Sequence, residues 1–249
     1  MAGGGAAGEP YAAPVPVDPT RELAAATWPE LGGRPLVVVP LGSLEQHGPH
    51  LPLGTDTAVA GAVAAAAVPE LPGALLAPAL GYGASGEHED FPGTISLGTE
   101  ALTGLLVEYG RSACRWAGRV LDGNGHGGNL DALRAAVPLL RREQRDVAWF
   151  PCAVPAADAH AGRTETSLVL HVEPHLVRSD LAAPGVTTPS AELLPRLRAD
   201  GVRAVSPDGV LGDPTGASAD EGAALLAALA AELVRATRVW SVDAAGRLR

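Results

Sequence analysis

Glu45 and His47 stand two residues apart in the segment Gly42-Ser-Leu-Glu-Gln-His-Gly-Pro-His-Leu-Pro52, and Asp56 follows shortly after it. In an extended stretch side chains alternate, so Glu45 and His47 face the same side. Asp56 opens the next helical stretch, where a carboxylate complements the positive end of the helix dipole. Together they are the oxygen and nitrogen donors that Zn²⁺, Mn²⁺ or Fe²⁺ accept. An ordinary Gly/Pro turn with a few polar residues is the competing reading of this loop.

Two further segments carry chemistry. In Asp122-Gly-Asn-Gly-His-Gly-Gly-Asn129, His126 sits among four glycines. A nest of backbone amides could bind an anion there, although such a cradle has no use for a central histidine. In Asp158-Ala-His-Ala-Gly-Arg-Thr-Glu165, Glu165 falls in the first turn of a helix that starts near Thr164. His160, on a loop of small residues, could swing over the same spot as a general acid/base; a plain capping arrangement beside a solvated histidine is the alternative. The donor cluster Gly86-Glu-His-Glu-Asp90 reads as a lid, as support for the site, or as a solvated acidic tip. His171 and His175 flank Pro174, which spoils helical ligand spacing, and both are assigned to structure or surface.

The elements that must position these residues alternate along the chain. A helix is expected over residues 19–31, with Asp18 as N-cap and Pro19 at its first position. Apolar strands are expected over 35–41, 74–80, 120–123 and 146–152, and helices over 56–68, 99–119 and 129–145. Ser218 and Glu221 form a capping-box pattern ahead of a helix over 219–238. Strands buried on both faces, alternating with helices, predict an α/β fold with a mostly parallel sheet covered on both sides. In such folds the site lies at the carboxyl ends of the strands. The loops 42–55 and 124–128 both leave from that end.

The 249 residues carry a formal net charge of −10, with 47% hydrophobic and 18% charged residues. All 18 basic residues are arginines. Without lysine there is no Walker-type ATP site and no Schiff-base chemistry. An acidic chain with scattered arginines is also a poor nucleic-acid binder. No apolar run is long enough for a membrane span, and the opening stretch has no signal-peptide pattern, so a cytoplasmic protein is expected. Residues 1–17 read as a flexible tail and 18–249 as one folded domain. Cys114 and Cys152 lack C-x-x-C spacing and read as two buried reduced thiols. The low charge leaves an apolar surface that suits an oligomer.

These segments resemble the creatininase family of metal-dependent amidohydrolases. The likeness runs from about Leu36 to Gly222 and rests on residues 42–52, Thr55-Asp56, Phe91-Pro-Gly-Thr94, Asn124-Gly-His-Gly-Gly-Asn129 and Glu165-Thr-Ser167. It implies a three-layer αβα sandwich, two divalent metal ions per subunit (Zn, Fe or Mn) and a homo-oligomer, hexameric in the best-known members. It also implies Glu45, His47, Asp56 and His126 as metal ligands, with Asp56 the bridge, and His160 as the catalytic histidine. Creatininase itself has a glutamate ligand two residues beyond the histidine that matches His126, where Gly128 stands here; Glu165 is inferred to supply that carboxylate, as ligand and catalytic group. The loss of that glutamate, and of the tryptophans lining the creatinine pocket, argues against creatinine as substrate.

The blocks 86–93 and 158–165 most resemble the branch that releases a C-terminal Val-Tyr dipeptide from a modified precursor peptide during redox-cofactor maturation. A peptide substrate is therefore expected. A small-ring amide or formyl amide is the alternative substrate, and a non-catalytic metal-binding homologue the alternative function. Arg163 is a candidate clamp for a peptide carboxylate.

Overall fold

The computed structural model describes residues 21–154 and 157–249. Strands β1 (Leu36–Leu41), β2 (Leu75–Leu76), β3 (Arg119–Asn124) and β4 (Val147–Pro151) form one parallel sheet in the order β2-β1-β3-β4. Its register pairs Leu36 with Arg119 and Leu41 with Asn124, then Val120 with Val147 and Asn124 with Pro151. The carboxyl ends of β1, β3 and β4 are thereby level.

Alternate side chains of each strand feed two separate cores. Val38, Leu121, Ala148 and Phe150 pack on α1 (Thr55–Ala67), α4 (Arg163–Val172) and α6 (Ala219–Val239). Val37, Val39, Leu41, Val120, Val147 and Trp149 pack on α2 (Gly98–Ala113) and α3 (Leu130–Arg142). Burial of both faces explains the unbroken apolar runs, and the result is the expected αβα sandwich. Among the described residues no helix is long and apolar enough to cross a membrane.

Several boundaries differ from expectation. In place of a helix over 19–31 there are two short 3₁₀ turns, Leu23–Ala25 and Trp28–Glu30. Pro29 cannot continue a helix, and Thr27 and Glu30 form a capping box that restarts the chain there; Asp18 and Pro19 lie outside the described residues. Strand β2 keeps only two residues. Val38 and Pro40 turn their carbonyls toward the β2 side, to the N–H groups of Ala77 and Leu80. The N–H that Pro40 lacks would have faced the same way, and Pro78 lacks one too, so the ladder opens between these contacts.

Helix α2 stops at Ala113 because a turn at 114–118 must return the chain to β3. There Gly118 lies so close to the Arg34 carbonyl that a Cβ would stand 2.5 Å from it. Helix α3 ends before Gln144, which is left-handed at φ 63°. Ser218 Oγ does accept the Glu221 N–H, but the Glu221 carboxylate accepts from Ser167 and Arg163 instead of closing the box. A further helix, α5 (Ser190–Val205), broken at Gly201, was not expected; Pro195 and Gly201 conceal its periodicity. No disulfide joins the cysteines; Cys152 is buried and Cys114 half-buried.

Asp122 on β3 faces the same side as Val120, toward Tyr109. Burial pushes its carboxyl up to about 7. Between the unfolded aspartate range near 4 and about 7 the folded chain keeps a proton that the unfolded chain releases, so stability falls as pH rises through that window. Asp122→Asn is expected to flatten this slope and to stabilise the fold at pH 8 by roughly 2–4 kcal/mol. Urea midpoints of both proteins at pH 5 and pH 8 check it, and parallel pH profiles would contradict it.

Candidate metal centre

Five segments converge above the level ends of β1, β3 and β4. The loop after β1 brings Glu45 and His47, both fully buried, and the first turn of α1 brings Asp56. The loop after β3 brings His126, the segment before α4 brings His160, and the first turn of α4 brings Glu165. The fifth is the long loop 81–98, which contributes His88.

Asp56 lies at the centre. Its Oδ1 is 3.1 Å from His47 Nε2 and its Oδ2 is 3.2 Å from His126 Nδ1, while Ser43 Oγ donates to Oδ2 at 2.6 Å. Glu45 Oε2 is 3.1 Å from His126 Nε2, and Glu165 Oε2 is 3.9 Å from His47 Nε2. Donor atoms of Glu45, Asp56 and His126 all lie within 4.8 Å of one another, as do those of His47, His160 and Glu165, and those of Glu45, His88 and His160. The sequence-predicted residues are therefore brought together. His171 and His175 lie elsewhere, at the end of α4 and in the turn after it. Arg163 is mostly exposed, and its Nε donates to Glu221 at 2.9 Å.

Backbone and amide contacts hold the loops in place. Asn129 Nδ2 donates to Gly42 O and to Asn124 Oδ1, both at 3.0 Å, and its Oδ1 accepts the Ala84 N–H at 2.9 Å. One side chain thus ties together the three loops that carry Glu45, His88 and His126. Asn124 Nδ2 donates to the His126 carbonyl at 2.7 Å. His160 pairs with Leu211 through two backbone hydrogen bonds, its N–H to the Leu211 carbonyl at 3.1 Å and the return bond at 2.9 Å. Ala161, left-handed at φ 52°, then directs its N–H to Glu165 Oε2 at 2.6 Å.

The electrostatics call for positive charge. Both oxygens of Glu45 are buried without a hydrogen-bond partner among the described residues. Burial raises the carboxyls of Glu45 and Glu165 to about 7. Burial also opposes charge on His47, but Asp56 outweighs it and lifts the imidazole to about 10. On His126 burial likewise gives way, to Glu45 and Asp56, and the value rises to about 9. Asp56 is held well below the usual carboxylate range because His47 and His126 overcome its burial. A divalent cation would meet the same demand and leave the imidazoles neutral as ligands. The donor set, all carboxylate and imidazole with no thiolate, fits a hard or borderline ion.

His88 and Gln46 are the residues that sequence reasoning left unassigned. His88 is 4% exposed, with Nε2 3.2 Å from Glu45 Oε1, so it is not a solvated tip. Gly128 carries a different lesson. A Cβ there would run into Ala84 O and His126 Nε2, with Glu87 Oε1 at 2.8 Å. The loop 84–87 thus fills the space that a side chain at 128 would need, whereas Gly127 has nothing within 4 Å.

The creatininase family model, described as creatinine amidohydrolase, matches residues 24–237. The mycofactocin precursor peptide peptidase of Mycolicibacterium smegmatis is 55% identical over 219 residues, covering 86% of this chain and 89% of that one. The creatinine amidohydrolase of Pseudomonas putida is 31% identical, covering 80% and 89%. A solved manganese creatininase superposes with a TM-score of 0.72 at 27% identity, covering 88% of this chain and 98% of that one.

Gly128→Ala is expected to destabilise the fold by roughly 1–3 kcal/mol through overpacking, while Gly127→Ala stays within about 0.5 kcal/mol. Thermal unfolding of the two variants side by side checks this; equal midpoints would refute the crowding at 128.

Proposed function

The chain belongs to the creatininase family and is a hydrolase of C–N bonds, and on that footing we propose that it is a metal-dependent peptidase that releases a C-terminal Val-Tyr dipeptide from a mycofactocin precursor peptide. The observation that carries this reading is the 55% identity, over most of both chains, to a peptidase of that name. A divalent metal is supported by the family and by the buried Glu45 carboxylate, whose oxygens make no hydrogen bond among the described residues.

In this reading Glu45, Asp56 and His126 would hold one ion, and His47 and Glu165 would hold a second with Asp56 shared between them. When bound, such ions activate water and polarise the scissile carbonyl. Zinc, iron and manganese all suit the donors. His160 has its Nε2 2.8 Å from the Gln46 carbonyl, which can only accept, so that nitrogen bears the proton and Nδ1 presents a lone pair. It can take a proton at Nδ1 and pass it to the leaving amine. Glu165, which accepts the Ala161 N–H, is fixed beside it. The exposed apolar side chains of Leu53, Tyr82, Ile95 and Leu97 lie on the loops around the centre. They suit an apolar peptide partner or a second subunit; a homo-oligomer such as a hexamer and a cytoplasmic setting complete the reading.

Mass spectrometry of metal-replete protein with precursor peptide ending in Val-Tyr tests the function. Loss of an intact Val-Tyr unit, blocked by chelator, is expected. An untouched peptide with metal confirmed present would favour a small cyclic or formyl amide. Asp56→Ala is expected to abolish metal loading together with turnover, and Glu165→Gln to lower both in step. An Asp56→Ala protein with two ions and full rate would refute the bridging role.

A further inference from the structure

Glu45, His88 and His160 form a third buried set of donor atoms within 4.8 Å of one another, which by spacing alone could hold another cation. The side chain of Gln46 decides what this set can do. Gln46 Oε1 accepts the Gly48 N–H at 2.8 Å, and Nε2 donates to the Gly209 carbonyl at 3.2 Å. A backbone N–H can only donate and a carbonyl only accept, so the amide has one possible orientation. Its second N–H lies 2.9 Å from His88 Nδ1. Both amide protons are then used, and the 3.1 Å approach of Nε2 to His160 Nε2 is packing rather than a bond. His88 Nδ1 must therefore accept, and in the neutral imidazole the proton sits on Nε2. That nitrogen stands 3.2 Å from Glu45 Oε1, nearer than His160 Nδ1 at 3.9 Å, a close polar approach that falls short of hydrogen-bond alignment.

We propose that His88 is a positioning residue, locked by Gln46 with its proton on Nε2, that supports the outer oxygen of Glu45 instead of ligating a metal itself. The inference rests on the metal-centre reading above. Glu45 Oε2 lies beside His126 and is the oxygen available to an ion, while Oε1 faces His88. A ligating carboxylate fixed through its second oxygen keeps its orientation, and loss of such a support costs about 10–100-fold in metal affinity. The lock itself is built in. Gly209 is left-handed at φ 81°, and any Cβ there would collide with the Gln46 amide. Ser206 Oγ and the Val210 N–H both bond to Asp208 Oδ1, at 2.6 and 3.1 Å, and hold the turn that brings the Gly209 carbonyl to Gln46.

Zinc affinity by chelator competition, on wild type and variants of equal thermal stability, tests the assignment. A glutamine at 88 can place an amide N–H where Nε2 stands, whereas asparagine reaches only as far as Nδ1. His88→Gln is expected to bind zinc within about threefold of wild type, and His88→Asn and His88→Leu about 10–100-fold more weakly. Gln46→Glu, which cannot donate to Nδ1, is expected to fall with the weaker pair. Nitrogen NMR of the zinc-loaded protein with labelled histidine reads the lock directly, through a protonated Nε2 and a bare Nδ1 on His88. Native affinity in His88→Leu, or a zinc-shifted His88 Nε2 without a proton, would overturn the proposal. A wild-type chain that holds no zinc, manganese or iron would overturn the metal centre itself.

Discussion

Everything at the carboxyl end of the sheet is organised around one unfavourable burial, that of the Glu45 carboxylate. An ionised group taken out of water costs several kcal/mol unless positive charge and hydrogen bonds repay it. Here solvent is excluded, the oxygens make no hydrogen bond among the described residues, and the imidazoles of His126 and His88 stand 3.1 and 3.2 Å away. The loops that supply them come from sequence positions far apart, and Asn129 joins those loops through three hydrogen bonds. A rigid scaffold is needed because the buried charge tolerates no drift of its neighbours.

The sheet provides that scaffold through its parallel register. With β1, β3 and β4 ending level, the loops that follow them start from one plane. Both faces of the sheet are covered by helices, so the exit of each strand is held from two sides. Strand β2 is the exception, since Pro40 and Pro78 withhold donors from its ladder. The long loop 81–98 that follows it is instead held by single bonds, Ile95 N–H to Leu44 O and Leu97 N–H to Gly83 O.

Much of this was legible in the residues. The period-two spacing of Glu45 and His47 and the central histidine among the glycines of 124–128 pointed to donors, and the apolar runs pointed to a doubly covered parallel sheet. The helix limits were less legible, because Pro29, Gly118 and the left-handed Gln144 each act through the geometry of a neighbour. His88 stayed undecided because Glu87, Glu89 and Asp90 around it give the signature of a solvated tip. Gln46 gave no signal at all: a neutral amide between two ionisable residues looks like a spacer until its partners at 88 and 209 are known. The Ser218–Glu221 pattern misled by half, since Ser167 and Arg163, the groups that divert the glutamate, lie over fifty residues away.

The pairing of His160 with Leu211 also sets a clock for the newborn chain. Glu45, His47 and Asp56 leave the ribosome early, yet the backbone that fixes His160 arrives only with the segment around Leu211, and the Gly209 contact to Gln46 arrives with it. The full set of carboxylate and imidazole donors is therefore in place only once most of the chain has emerged.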